Sequence, residues 1–517
     1  MQKFLYIAVF IGGMATLAVE MAASRLLGNY FGTSNLVWAS IIGLILIYLA
    51  AGNYIGGRLA DRFPTFQGFY RIMLGAALTI SLVPLASRPV LRFAANAFDQ
   101  LQLGGLFGSF SAVLVLLIAP VVLLGAISPY AIKLAIRDAR QAGSVAGKIY
   151  AISTLGSFVG AFLPVLFFIP LIGTYRTFYA ISGLLLLTAL VGFWRIEDKK
   201  WTAWVSLAFV LIITLGFWGT SGQDKSSQGQ IYETESAYNY IQVLEDDGYR
   251  MLRLNEGQGV HSYYHAEVIN YYGPWEQVLV APFFNPAPIN PDDIERIAIV
   301  GLAAGTTARQ ASLVFPGVEI DGFEIDPKIV EVGRQYFDMN QPNLNVIIQD
   351  GRWGLEHSEK QYEIISVDAY RPPYIPSHLT TQEFFQIVRD HLTEDGVLVI
   401  NIGRGPDDRR LINALGTTVG TIFPSIHVMD IPNTFNSILF ATVQPTDQQN
   451  LYDNLVLLVE RGDVSALLLE SMTLAYSNAQ PVPETTIVFT DDKAPIEWLT
   501  NAMVFDYFVK GGLEFLR

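Results

Sequence analysis

The first 220 positions repeat long apolar runs separated by short polar loops, and the later positions alternate short β-rich runs with amphipathic stretches. A helix needs about 20 apolar residues to cross a hydrocarbon core. Seven runs fall near that length: 4–19, which continues through Glu20 toward Arg25, then 26–57, 72–87, 100–132, 149–175, 177–194 and 201–223. They predict a multi-pass α-helical membrane domain over residues 1–220, with the lipid bilayer as its solvent. The first run is too polar in its middle for a cleaved signal peptide, and further spans follow it. Residues 221–230 (SGQDKSSQGQ) lack apolar periodicity and read as a linker.

After the linker the period changes from helix to strand. Runs at 238–244 and 249–254 flank Asp246-Asp247-Gly248, a turn signal that predicts a hairpin, and a less regular strand covers 260–264. A small β-strand subdomain is expected over 231–285, followed by an α/β Rossmann-like domain over 286–517. In that domain the strand 296–300 runs into Gly301-Leu302-Ala303-Ala304-Gly305 and then a helical stretch. Small residues at such a turn let backbone approach a ligand, and the helix N-terminus offers free N–H groups. A second strand, 318–323, ends at Glu324, 19 residues after Gly305 (324 − 305). A carboxylate at that spacing holds ribose hydroxyls. A third strand, 345–348, leads to Asp350-Gly351, and a fourth, 362–367, ends at Asp368. Three successive strands therefore carry carboxylates at their C-terminal ends, where open α/β sheets bind ligands. Capping or chance accounts for one such residue more readily than for three in order. The complete Gly-x-Gly-x-x-Gly is missing, and a carboxylate after the third strand suits an adenine amino group. Both favour an adenosylmethionine-type ligand over a dinucleotide.

Charge separates the two halves further. Residues 1–220 hold 15 Lys+Arg and 6 Asp+Glu, a net of +9. Subtracting from the totals of 33 and 47 leaves 18 and 41, a net of −23, for the rest. The acidic half excludes nucleic acid as a partner, because a polyanion needs a basic face. It suits cationic small molecules, although an ordinary acidic surface has the same composition. With no cysteine, thiol catalysis and zinc–thiolate sites are excluded, and no metal is expected from the scattered His261, His265, His357 and His378.

Basic residues cluster in alternate loops: Arg58, Arg62 and Arg71; then Lys133, Arg137, Arg140 and Lys148; then Arg195, Lys199 and Lys200. The positive-inside rule places these in the cytoplasm, and seven crossings then put the acidic domain outside. An adenosyl ligand is made in the cytoplasm, so the two arguments oppose each other and the side of the soluble domain stays open. Glu20 and Arg25 read as a helix-locking pair or as part of a substrate path. The loop from Gly56 to Arg62 resembles the short loop after the second helix of major-facilitator transporters.

From about residue 240 to 403 the chain resembles the spermidine synthase (polyamine aminopropyltransferase) family, with the class I methyltransferase-type fold that this implies. Phe323-Glu324-Ile325-Asp326-Pro327 is similar to its ribose segment, Asp350-Gly351-Arg352 to its adenine-side motif, and Asp368 to the first aspartate of its gate motif. Tyr240-Ile241-Gln242-Val243 resembles the opening strand, with Gln242 near a cofactor-contacting glutamine, and Glu276 resembles the acidic residue of Tyr-His-Glu. The stretch 379–385 is similar to the helix after the gate loop. Residues 20–25, 55–62 and 490–495 resemble segments of bacterial members fused to membrane spans.

The resemblance implies transfer of an aminopropyl group from decarboxylated S-adenosylmethionine to a small-molecule amine. Asp368 would be the catalytic base. Gln242, Gly301, Gly305, Glu324, Asp350 and Gly351 would bind the co-substrate, and Glu276, Tyr370 and Arg371 would face the amine. Family members often pair, so a homodimer is a further expectation. Two positions depart from the pattern: Ala304 and Arg371 replace aspartates that bind ammonium groups. They leave open another S-adenosylmethionine-dependent transferase, such as a methyltransferase, or a non-catalytic binding or transport protein.

Overall fold

The computed structural model describes residues 2–31, 35–100, 109–218, 225, 227–255, 259–370, 375–482 and 485–510. The chain divides into two compact units, Met1–Ser226 and Ser227–Arg517.

The first unit is helical: α1 (Gln2–Phe31), α2 (Asn35–Arg62), α3 (Phe66–Gln100), α4 (Ser109–Ala135), α5 (Ala142–Leu163), the single turn α6 (Ile169–Ile172), α7 (Thr174–Arg195) and α8 (Lys199–Trp218). Seven spans among the described residues are long and apolar enough to cross a membrane. The uncharged run 26–57 is not one span. Residues 26–31 finish α1 and 35–57 belong to α2, because hydropathy does not register a helix boundary inside an uncharged run. The short run 72–87 lies inside the longer α3, where it is flanked by Arg71 on one side and by Arg88 and Arg92 on the other. A π-helical turn, Pro164–Phe168, joins α5 to α6.

Lipid-like surroundings give helices no hydrophobic drive to associate, so close backbone packing has to supply it. Glycines spaced four apart do this here. A Cβ on Gly156 or Gly160 of α5 would lie 2.1 Å from the Phe10 carbonyl oxygen and 2.0 Å from that of Met14 on α1. A Cβ on Gly52 or Gly56 of α2 would lie 2.3 Å from the Val122 oxygen and 2.5 Å from Ala126 Cα on α4.

The second unit opens with a four-stranded antiparallel sheet, β1 (Gln230–Glu235), β2 (Tyr240–Asp246), β3 (Tyr249–Leu254) and β4 (Val260–Tyr264), in the order β1-β2-β3-β4. The expected hairpin is β2–β3, with Tyr249 opposite Asp246. A single turn, α9 (Pro274–Gln277), then leads to a larger sheet. Its strands are β5 (Arg296–Val300), β6 (Glu319–Phe323), β7 (Leu344–Ile347), β8 (Tyr362–Val367), β9 (Leu392–Gly403), β10 (Ser425–Asp430), β11 (Asn436–Thr442) and β12 (Ala479–Gln480). Their order is β12-β10-β11-β9-β8-β5-β6-β7. Strands β7, β6, β5, β8 and β9 are parallel, and β11, β10 and β12 join antiparallel. This is a Rossmann-like α/β sheet. The parallel strands are apolar on both faces, as Ile297, Ala298, Ile299 and Val300 show, because both faces are covered.

Helices α10 (Thr306–Val314), α11 (Pro327–Tyr336), α12 (Gly351–Glu356), α13 (Gln382–Asp390), α14 (Arg410–Gly420), α15 (Gln448–Arg461), α16 (Ala466–Ser477) and α17 (Ile496–Lys510) complete the unit. One face of the small sheet, with Ile241, Val243, Leu252 and Leu254, packs on Ile329, Val332 and Phe337 around α11 and on Ala304.

Candidate active site

Strand order reverses between β5 and β8, and at such a switch point the loops leaving the strands part to form a crevice. Four elements meet there. The β5 loop turns through Gly301 (φ +92°), Ala303 (φ +49°) and Gly305 (φ +83°) before α10. Gly301 is required by space as well as angle, since a Cβ there would lie 2.6 Å from the Asp368 carbonyl oxygen. The glycine loop and Asp368 are therefore backbone neighbours. Gly351 is small because Val300 Cγ1 lies 2.4 Å from where its Cβ would stand.

Glu324 follows β6. Its carboxylate accepts from Ala303 N and from Asp326 N, both at 3.0 Å, which fixes it against the glycine loop. Burial pushes its pKa up to about 7 against the pull of those two N–H groups. Asp350 caps α12 by accepting from Trp353 N at 3.1 Å, and His378 Nε2 lies 3.0 Å from its other oxygen. That imidazole contact holds the Asp350 carboxyl below the usual carboxylate range. Asp368 follows β8. Burial pushes its pKa up to about 7, opposed by Asn401 Nδ2, which donates to Oδ1 at 2.9 Å. Asn401 Oδ1 is buried with no partner among the described residues, so a donor on a bound molecule would satisfy it. The Tyr370 hydroxyl accepts from Gly403 N, and burial raises its pKa well above the ordinary range, which keeps it protonated.

The remaining expected residues sit differently. Gln242 is buried inside the small sheet, where its amide donates to Gln230 Oε1 at 2.6 Å and to Ser227 Oγ at 3.3 Å. Glu276 is fully buried. It accepts from Tyr271 N and Gln310 Nε2, each at 2.7 Å, and from Gly273 N at 3.0 Å, and burial raises its pKa. Its oxygens organise the loop before α9. Arg371 lies outside the described residues.

Sequence reasoning missed a connection around Asp326. This fully buried carboxylate caps α11 at Lys328 N (3.0 Å) and accepts from Ser236 Oγ (2.6 Å) and Asn239 Nδ2 (2.9 Å). Asn255 Nδ2 in turn donates to Asn239 Oδ1 at 2.9 Å. Polar residues in a tight turn just before a strand, facing an Asp-Pro helix start, were the available signal. The segment 490–495 reaches the site as well: Asp491 takes a bidentate grip from Arg352 (2.6 and 2.7 Å) and accepts from Thr381 Oγ1 at 2.7 Å. Among the described residues, no group of three His, Cys, Asp or Glu could hold a metal.

Residues 287–453 match the model of the spermine/spermidine synthase domain. A "probable polyamine aminopropyl transferase" of Bifidobacterium longum is 32% identical over 282 residues, covering 52% of this chain and 61% of that protein. A "polyamine aminopropyltransferase" of Vibrio vulnificus is 27% identical over 313 residues, 57% of this chain and 98% of its own length. Among solved structures, a probable spermidine synthase from Corynebacterium glutamicum is 18% identical, covers 56% of this chain and 95% of its own, and superposes with a TM-score of 0.39. The chain thus carries, over residues 287–453, a spermine/spermidine synthase domain whose homologues are polyamine aminopropyltransferases.

Proposed function

We propose that this is a membrane-attached transferase that moves an aminopropyl-type group from an adenosyl sulfonium, such as decarboxylated S-adenosylmethionine, to a small amine. The observation that carries the reading is Asp368, a half-buried carboxylate with a pKa near 7 that lies against the glycine loop and is held by Asn401. Structural ion pairs usually lower a carboxylate's pKa, whereas this one is poised where a general base works best. The residues fit the co-substrate. Gly301, Gly305 and Gly351 let the loops around the crevice pack closely on Asp368, Met339 and Val300, Glu324 would accept from ribose hydroxyls, and Asp350 would accept from the adenine amino group.

The bound sulfonium supplies a methylene carbon made electrophilic by the adjacent positive sulfur. Asp368 Oδ2, the oxygen not held by Asn401, accepts the proton as the amine nitrogen forms its C–N bond. The C–S bond breaks with its electrons going to sulfur, and neutral methylthioadenosine leaves. Tyr370, protonated and anchored to Gly403, walls the site beside that base. The seven apolar spans support attachment to a membrane. The test is release of methylthioadenosine from decarboxylated S-adenosylmethionine by the purified full chain, with and without an amine. Amine-dependent release is expected, and release unaffected by any amine would reject group transfer.

A further inference from the structure

The two carboxylates assigned to the nucleoside leave neighbouring strands side by side. β6 and β7 are adjacent, and Gln349 N, next to Asp350, donates to the Glu324 carbonyl at 3.1 Å. With Glu324 at the ribose, Asp350 stands on the side of the base. A carboxylate on a rotatable side chain reads a base only if its oxygens are aimed. Asp350 is held at both: Trp353 N donates to Oδ1 at 3.1 Å, and His378 Nε2 lies 3.0 Å from Oδ2. An ionised carboxylate only accepts, so the imidazole donates there from Nε2. Each oxygen has two lone pairs, which leaves one on each for a ligand. The Asp350 and His378 side chains are 37% and 46% exposed, so a ligand can reach the pair.

His378 is itself held from elsewhere in the chain. It sits in the 3₁₀ turn Ser377–Leu379, whose Leu379 is buried. Arg352 Nη1 donates to the His378 carbonyl at 3.1 Å and to Asp491 Oδ1 at 2.6 Å, while Nη2 donates to Asp491 Oδ2 at 2.7 Å. Asp491 is fixed in turn. It accepts from Thr381 Oγ1 at 2.7 Å, and its N–H donates to Glu383 Oε2 at 2.9 Å. Gln382 N donates to the Phe489 carbonyl at 2.9 Å, and a bridge between Thr490 and Lys493 closes the segment against the start of α13. Asp491, Arg352, His378 and Asp350 therefore form one continuous chain of contacts. A staple for the segment around residue 490 would need only the Arg352–Asp491 pair. The imidazole on Asp350 is the part that such a staple leaves unexplained.

We infer that His378, held by Arg352 and Asp491, is a positioning residue that aims Asp350 at the amino group of a 6-aminopurine and so selects it over a 6-oxopurine. The inference rests on the adenosyl reading above and assigns its base selectivity. A 6-amino group donates to the open lone pairs of Asp350, whereas a 6-oxo group sets an acceptor against an acceptor. A 6-oxopurine carries its donor at N1 instead, and a carboxylate fixed at both oxygens does not swing to follow it. A base seated on Asp350 also strips water from it, which penalises the ionised form. The His378 contact opposes that penalty, and it already holds the Asp350 carboxyl below the usual range.

The test is calorimetry on the full chain in detergent with methylthioadenosine and methylthioinosine, which differ only at the 6-substituent and N1. Wild type is compared with His378→Ala, His378→Gln and Arg352→Ala. Wild type is expected to bind methylthioadenosine at least about tenfold tighter, as a hydrogen bond to a charged group implies. His378→Ala should lose most of that preference through weaker methylthioadenosine binding. His378→Gln places an amide N–H near the position of Nε2 and should restore it, and Arg352→Ala should lose part of it. A merely structural role would weaken both ligands alike and leave their ratio unmoved. Full preference in His378→Ala overturns the inference alone, as does a wild type that binds both ligands equally. If His378→Ala does not fold, Arg352→Ala decides, and an unchanged preference there overturns the inference. Failure of the wild type to bind methylthioadenosine overturns the adenosyl reading and the inference with it.

Discussion

Replacing Asp368 by asparagine removes the proton acceptor while keeping its shape. The side-chain oxygen of the new residue can still accept from Asn401 Nδ2, now 2.9 Å from Oδ1, so the packing around β8 and β9 survives. A positioned general base contributes about 10²–10⁴-fold to rate. At 1.36 kcal/mol per tenfold this is roughly 3–5 kcal/mol of transition-state stabilisation. The same residue sets a pH dependence. Burial raises its pKa to about 7, so in the free enzyme the base is protonated below neutrality and ionised above it. kcat/KM in wild type should rise with pH through about 7 and then level, provided the amine's own ionisation is corrected for. The variant should lose two to four orders of magnitude, by the same principle, together with the acid limb assigned to Asp368. The assay is methylthioadenosine release followed by mass spectrometry across pH 5.5–9, roughly two units either side of that midpoint. Undiminished turnover in Asp368→Asn, or an acid limb that persists unchanged, would refute the assignment of the base.

Other substitutions test the scaffold. Asp326→Ala removes a helix cap worth about 0.5–2 kcal/mol and leaves the buried Asn239 amide without an acceptor at about 1–3 kcal/mol. A loss of roughly 2–4 kcal/mol is expected in thermal or denaturant unfolding, and a loss under 1 kcal/mol would show that the small sheet is not tied down there. Gly156→Ala forces a Cβ to about 2.1 Å from the Phe10 oxygen and should destabilise the helical unit by about 1–3 kcal/mol. Gly57→Ala meets nothing within 4 Å and should be neutral or mildly stabilising, as read by melting in detergent. Arg352→Ala breaks the bidentate pair with Asp491. Because Asp491 is about half exposed, screening limits the cost to about 1 kcal/mol or less. Arg352 holds the Asp491 pKa below its ordinary value. The pair's stabilisation is therefore present above the unfolded carboxylate pKa and is lost as pH falls through the lowered one. Limited proteolysis near residue 490 should accelerate in the variant at neutral pH and converge with wild type in acid.

The parts of the fold that were legible from sequence share a physical cause. Strands β5, β6 and β8 are short, mostly buried runs rich in Ile, Val and Phe, each followed directly by a glycine or carboxylate, which marks both the element and its functional end. The α1–α2 boundary was illegible because hydropathy sums composition and does not register where one helix ends inside an uncharged run. β1, whose first residue falls in the expected linker and whose remainder falls in the expected β subdomain, carries no strand signal because Gln230, Glu233 and Glu235 are polar edge-strand residues that pair through backbone. Asp491 reaches Arg352 across 139 positions, and only the folded chain brings them together.

The central claim is that the C-terminal ends of β5 to β8 hold an adenosyl ligand. Hydrogen–deuterium exchange on the full chain, with and without methylthioadenosine, tests it directly. The account predicts slowed exchange confined to peptides spanning Gly301–Gly305, Glu324–Asp326 and Asp350–Trp353. Unchanged exchange in all three, or protection only within the helical unit, would contradict it.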